Sequence, residues 1–285
     1  MKKLKKILSI TLLFSVMLAF GAFKVHAATQ LLEIHHIKVG QGDSTYVELP
    51  DGTDILIDAG KSGAGTTVVN YLKAQEPTID IEYLIATHPD ADHVGGMQSV
   101  FNSLKVKNFL YPTDTASTTI TWTNVVNLAK KEGCVIANAA SGKTFNIAGV
   151  IIKFIQPNTN YSTDNGDSVV TYIDYRYAEI LLTGDIDSKT ESDMVVKALV
   201  PNVDFIGVPH HGSSYSSTLN FVKKADPECA VISVGTNSYG HPGSTIITRY
   251  KSIGSKVYRT DLNGTLVYRT DGYTAKINTL SLPIK

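Results

Sequence analysis

Short apolar runs, each cut off by glycine, proline or aspartate, recur along most of the chain. Leu31–Val39, Ser44–Leu49 and Thr53–Asp58 are joined by glycine turns and predict three successive strands. Ile81–Ala86 predicts a further, buried strand. Apolar residues three and four apart predict helices over Thr66–Ala74, Val94–Leu104 and Thr121–Glu132. After strands near Phe145–Ile155 the scheme repeats. Strands Val169–Tyr175 and Ala178–Thr183, helix Ser188–Leu199 and strand Val203–Val208 come first. Helices Ser217–Ala225 and Thr245–Ile253 then flank strand Cys229–Val234. Closing strands are expected at Lys256–Tyr258, Gly264–Arg269 and Thr274–Ile277. Strands mixed with helices in two halves predict an α/β fold, a four-layer αβ/βα sandwich with its site along one edge of the two sheets.

The punctuation between these runs carries chemistry. After Ile81–Ala86 comes Thr87-His88-Pro89-Asp90-Ala91-Asp92-His93-Val94-Gly95-Gly96, four possible metal ligands in six residues. Two imidazoles and two carboxylates on one short loop repel one another unless a cation sits among them. Mixed nitrogen and oxygen donors suit Zn²⁺, Mn²⁺ or Fe²⁺ better than Mg²⁺ or Ca²⁺. Gly184-Asp185 ends a second run, Pro209-His210-His211-Gly212-Ser213 a third, and the stretch through Tyr239-Gly240-His241-Pro242 follows a fourth. Five of the seven histidines after Ala27 fall in these stops, which packing alone does not explain. Neighbouring strands in a sheet would gather such ends along one edge.

In these motifs, and in Val39-Gly40-Gln41-Gly42-Asp43-Ser44 and Ile57-Asp58-Ala59-Gly60, the chain resembles the metallo-β-lactamase-fold hydrolases. It is specifically similar to the hydrolase domain of ComEC-type DNA-internalisation proteins and their free-standing relatives. The motifs stand in the family's order over roughly residues 31 to 270. The resemblance implies two divalent ions, Zn²⁺ or Mn²⁺. His88 and Asp90 would hold one, Asp92 and His93 the other, and Asp185 would bridge them. One of His210 and His211 would complete the second ion's shell, with His210 favoured. The other, His211, would face substrate together with His241, so that Asp92, His211 and His241 carry catalysis. Asp58 is expected to steady a ligand rather than to bind metal, and Asp43 to serve a backbone turn. Two departures stand out: Asp90 replaces a histidine of the wider superfamily's motif, and no histidine lies between His93 and His210. Asp167 is the nearest substitute for the missing one.

The N-terminus reads as a leader. Lys2, Lys3, Lys5 and Lys6 precede the apolar stretch Ile7–Phe23, and Val25-His26-Ala27 offers small residues at a cleavage site. Residues 1–27 are therefore expected to be a signal peptide and 28–285 the hydrolase domain, placing the product outside the cell. A retained membrane anchor is the alternative. The leader holds five of the 26 basic residues and none of the 26 acidic ones, leaving 21 against 26, a net charge of −5. A protein that grips long duplexes nonspecifically would be basic. This balance favours a small or short anionic substrate, single-stranded DNA among them.

Other conspicuous residues have ordinary readings. His35 and His36 are adjacent on a strand and are expected to face in and out as structural residues. Lys61–Gly65 lacks the ending of a phosphate loop. Trp122 and the scattered tyrosines read as packing. Cys134 and Cys229, the only cysteines, show no pairing in the sequence. The expected reaction is hydrolysis of phosphodiesters, in short or single-stranded nucleic acid or in a phosphocholine-type ester. Two cations sharing Asp185 would make a water acidic enough to act as hydroxide near neutrality. The alternatives are a carbon-ester, lactone or amide hydrolase, and an idle metal-bound module of a DNA-uptake or cell-wall assembly.

Overall fold

The computed structural model describes residues 31–280 except Asp114 and Ala116, so the expected leader lies outside the described residues. The first sheet collects β1 (Leu32–His36), β2 (Thr45–Glu48), β3 (Asp54–Ile57), β4 (Asp80–Ile85), β5 (Lys105–Tyr111) and β6 (Val135–Asn138). The second collects β7 (Thr144–Ile147), β8 (Val150–Phe154), β9 (Thr171–Tyr175), β10 (Ala178–Leu182), β11 (Phe205–Gly207), β12 (Cys229–Ile232) and β13 (Lys256–Arg259). β14 (Thr265–Thr270) and β15 (Ala275–Leu280) return to the first sheet beside β1. Its order is β15-β14-β1-β2-β3-β4-β5-β6, and the second sheet's is β13-β12-β11-β10-β9-β8-β7. Each sheet has an antiparallel half and a parallel half. β3 to β6 run parallel in the first, β10 to β13 in the second.

Three apolar layers follow from this. Between the sheets, Ile34, Ile55 and Leu110 of the first meet Phe154, Ile180 and Phe205 of the second. Helices Gly65–Gln75, Met97–Ser103 and Ile120–Glu132 cover the outer face of the first sheet through Leu72, Val100 and Val125. Helices Ser188–Val196, Leu219–Ala225 and Ser244–Ser252 cover the second through Met194, Phe221 and Tyr250. The result is the expected αβ/βα sandwich. Central strands such as β12, Cys-Ala-Val-Ile, are buried on both faces and are therefore apolar throughout. Full burial of each large aliphatic side chain contributes about 1.5–3 kcal/mol.

Several elements differ from the sequence reading. The helix expected over Val94–Leu104 is broken into Ala91–Val94 and Met97–Ser103. Gly95 and Gly96 lie so close to Ala91, Ser62 and Ala59 that any Cβ there would collide with backbone. That contact presses the ligand loop onto the turn after β3. β5 and β6 have no counterpart among the predicted strands, and β6, with no buried residue, carries a weak hydrophobic signal. His35 and His36 do point to opposite faces, yet both are buried, because helices and the second sheet cover both faces of β1. His35 meets Tyr71 of helix Gly65–Gln75 and His36 meets Phe205 of β11. Among the described residues no helix is long and apolar enough to cross a membrane.

Candidate metal centre

The C-terminal ends of parallel strands in both sheets open onto one edge, the place where open α/β sheets carry their ligands. β3 leads to Asp58, β4 to Thr87 and the His88–His93 loop, β10 to Gly184-Asp185, β11 to His210-His211, and β12 to the loop through His241. The turn between β1 and β2 adds Asp43 from the side. Gly42, at φ +138°, has no room for a Cβ against the Asp92 carbonyl, to which Asp43 N donates at 3.3 Å. His210 and His211 both adopt left-handed backbone, φ 52° and 54°, uncommon for residues with a Cβ. That turn aims the two rings differently: His211 is buried and His210 is half-exposed.

Three buried imidazoles are fixed in the same sense. His93 Nδ1 donates to Asp58 Oδ2 at 2.7 Å, and His211 Nδ1 donates to the Ser233 carbonyl at 2.9 Å. The Thr87 hydroxyl donates to Asp58 Oδ2 at 2.6 Å, so it can accept from His88 Nδ1, 3.0 Å away. In each ring the second nitrogen, Nε2, has no hydrogen-bond partner, as is also true of Asp185 Oδ1. These atoms converge. Asp185 Oδ2 lies 3.3 Å from His93 Nε2 and 3.4 Å from His211 Nε2, and His211 Nε2 lies 3.7 Å from Asp92 Oδ2. Ligand atoms of His88, His93 and Asp185 fall within 4.8 Å of one another, and so do those of Asp92, His93 and His211. Orphaned buried nitrogens beside carboxylates cost free energy unless a cation or protons fill the space between them. Imidazoles tied outward through Nδ1 and free at Nε2 are what a metal site requires.

The local charges pull the same way. Burial works against a charged His93, but Asp185 and Asp58 outweigh it and hold its pKa well above the ordinary value. Burial likewise opposes an ionised Asp185, yet His211, His93 and His88 keep its pKa well below the carboxylate range. Burial pushes the Asp43 carboxyl up. The cluster therefore holds an ionised carboxylate amid nitrogen donors, a fit for divalent ions of the Zn²⁺ or Mn²⁺ kind. A concavity of about 610 Å³ lies elsewhere, at the opposite strand ends beside Asp204, Cys229 and Tyr268, and contains none of these groups.

The family model described as "Metallo-beta-lactamase superfamily" matches residues 37–236. The chain belongs to the metallo-beta-lactamase superfamily. It is 28% identical to ComE operon protein 3 of Bacillus subtilis over 270 residues, covering 88% of this chain and 34% of that protein. It is 32% identical to Competence protein ComA of Neisseria gonorrhoeae over 235 residues, covering 80% and 31%. The chain thus spans about a third of the length of these relatives. Among solved structures, the metallo-beta-lactamase fold protein YhfI from Bacillus subtilis aligns with a TM-score of 0.56 at 10% identity, covering 82% of this chain and 98% of that one. CmlA, a diiron β-hydroxylase from Streptomyces venezuelae, aligns at 0.53 and 13%, covering 87% and 54%. Both likenesses are of fold. A hydroxylase on this scaffold shows that the reaction must be argued from the site.

Against the superfamily motif, the placements divide. His88, Asp92, His93 and Asp185 come together at the strand ends. Asp90 stands at the rim, its side chain 47% exposed and 3.6 Å from His88 Nε2. Of the paired histidines, His211 enters the tight groups, whereas His210 Nε2 is 3.8 Å from Asp185 Oδ2 and 3.4 Å from Asn165 Nδ2. The geometry thus sets His211, rather than the expected His210, among the grouped donor atoms. Asp167 enters none of the groups; its Oδ1 accepts from Tyr161 N at 2.8 Å, and Ser168 Oγ instead stands against Asp185, accepting its N–H at 3.2 Å. His241 lies outside the groups, its ring 5.6 Å from that of His210.

Two participants escaped the sequence reading. The Asp43 carboxylate, expected to be only part of a turn, groups with Asp185 and His211. Asn237 holds the His241 loop with four hydrogen bonds. Its Nδ2 donates to the Gly235 and His241 carbonyls, and its Oδ1 accepts from the Tyr239 and His241 N–H groups. Its spacing in Asn237-Ser238-Tyr239-Gly240-His241 was the available signal, an Asx-type turn ahead of a histidine.

Proposed function

We propose that the chain is a dinuclear metal-dependent hydrolase of phosphodiesters that works outside the cell after loss of residues 1–27. The carrying observation is the set of three buried imidazoles, His88, His93 and His211, each tied at Nδ1 and orphaned at Nε2 around Asp185. His88 and Asp90 would hold one ion and Asp92, His93 and His211 the other, with Asp185 common to both. When bound, such a pair supplies Lewis acidity and an acidified water. Everything else falls to the protein. Asp58 keeps His93 in one tautomer and orientation, and Ser233 does the same for His211. The Asp43 carboxyl stands 3.8 Å from His211 Nδ1, at the side of the same cluster.

His210 and His241 form the substrate side. Both are half-exposed, both have an unpartnered Nδ1, and burial lowers the pKa of each. An imidazole of this kind can accept or deliver a proton at an ester oxygen, or donate to a phosphoryl oxygen. Two of them on one rim suit an anionic group with several oxygens better than a lactam or lactone carbonyl. Relatives named for competence and recombination support a nucleic-acid phosphodiester, and the acidic balance of residues 28–285 supports a short or single-stranded one. The reading is tested with bis-p-nitrophenyl phosphate, a chromogenic lactone and nitrocefin, each assayed with Zn²⁺ and with Mn²⁺. Turnover of the phosphodiester is expected. Turnover of the lactone or nitrocefin alone replaces the reading with carbon-ester or amide hydrolysis.

A further inference from the structure

Across the outer face of the first sheet, carboxylates stand side by side on neighbouring strands. In register, Arg269 of β14 opposes Glu33 of β1, Glu33 opposes Glu48 of β2, and Glu48 opposes Asp54 of β3. Glu82 of β4 continues the row, its Oε2 accepting from Asp54 N at 2.9 Å, and Lys107 of β5 ends it, 2.6 Å from Glu82 Oε1. The two cations sit at the ends; Arg269 Nε is 2.7 Å from Glu33 Oε2. Directly opposed like charges destabilise a sheet. Among the described residues Glu48, in the middle, has no ion-pair partner within bonding reach.

A buried nitrogen points into this row. His35 lies two residues along β1 from Glu33 and so on the same face. It is fully buried, and its Nε2 has no hydrogen-bond partner while standing 3.2 Å from Glu33 Oε2. Its Nδ1 is 2.7 Å from the Tyr71 hydroxyl. Ligand atoms of Glu33, His35 and Glu48 all lie within 4.8 Å of one another.

We propose that Glu33, His35 and Glu48 bind a divalent transition ion at a site separate from the centre around Asp185. With Nδ1–H donated to the Tyr71 oxygen, the His35 Nε2 lone pair faces the two carboxylates, the outward-tied arrangement that ligating imidazoles share. Two carboxylates and one imidazole suit Zn²⁺ or Mn²⁺. The ion neutralises the opposed Glu33–Glu48 pair and clamps β1 to β2 beneath helix Gly65–Gln75. It shares no residue with the Asp185 centre, and its role is to hold the sheet rather than to turn over substrate. The site itself stands apart from the reading of that centre; only the ion counts expected in the Asp185→Ala background rest on it.

Equilibrium dialysis of the full chain against Mn²⁺, followed by elemental analysis, tests it. Glu48→Gln is expected to hold one ion fewer than the parent, Asp185→Ala to retain one, and the double variant Asp185→Ala with Glu48→Gln to retain none. Equal ion content with and without Glu48→Gln in both backgrounds overturns the site and leaves an Arg269–Glu33–His35 ion-pair network only. Should Glu48→Gln not fold, anomalous scattering from Mn²⁺-loaded crystals of the parent decides. A peak beside His35 Nε2 supports the site; its absence while the Asp185 centre is occupied refutes it.

Discussion

At the residue scale, the centre is organised by what each imidazole does with its outer nitrogen. Asp58, Thr87 and Ser233 hold His93, His88 and His211 with Nε2 turned inward toward Asp185. Asp185 is the shared partner, so Asp185→Ala should remove both ions from the centre and abolish turnover together; two retained ions with undiminished activity would refute the bridging role. The paired histidines separate by burial. His211→Ala should cost an ion, whereas His210→Ala and His241→Ala should keep the ion count and lower kcat by about 10²–10⁴-fold, the range for a lost acid–base group. Elemental analysis beside steady-state kinetics distinguishes the two outcomes, and ion loss in His210→Ala would restore it as a ligand.

At the element scale, the loops that carry the ligands are anchored by neighbours on the outer layers. Glu191, buried in helix Ser188–Val196, accepts from Ser217 N and from Thr218 N, the latter at 2.6 Å, where helix Leu219–Ala225 begins. This fastens the chain that leaves His210-His211. Burial pushes Glu191 up to about 7 against the pull of the Thr218 and Ser217 N–H groups and of Arg249, and Tyr250 also faces it. A carboxyl whose folded pKa exceeds its unfolded value binds an extra proton when folded. Its stabilising effect is complete below the ordinary value of 4.5 and is lost as pH rises through about 7. Melting curves across that window should show Tm falling with pH, and Glu191→Gln should flatten the slope. An equal slope in the variant would assign the pH dependence to other groups.

At the scale of the whole molecule, the centre is where donor side chains from the two sheets meet. Asp43, His88, Asp92 and His93 come from connections between strands of the first sheet, Asp185 and His211 from connections of the second. Each ion that binds only the native arrangement stabilises it by about 4 kcal/mol when present at roughly a thousand times its Kd. At about 2–4 °C per kcal/mol for a chain of this size, chelation should lower Tm by on the order of 10 °C for each ion removed. Differential scanning calorimetry in the Glu48→Gln background excludes the outer site from this comparison. An unchanged Tm after verified ion removal would mean that the sheets need no ion to hold them.

The sequence by itself determined the fold class, most of the strands and helices, and the edge at which the chemistry gathers. Those features rest on local signals: apolar period, turn residues at strand ends, and histidines and aspartates placed at the stops. His88, Asp92, His93 and Asp185 were legible because strand ends in a sheet sandwich must converge. Only the tertiary structure set His211 apart from His210, because the left-handed turn at both residues, not their spacing, buries one ring and leaves the other half-exposed. It also decided that the Asp43 carboxylate joins the centre and that Asn237 templates the His241 loop. Edge strand β6 and the Gly95-Gly96 break followed from contacts between distant segments, as did the row from Arg269 to Lys107. A linear pattern records which face a residue takes, but not what the rest of the chain brings against it.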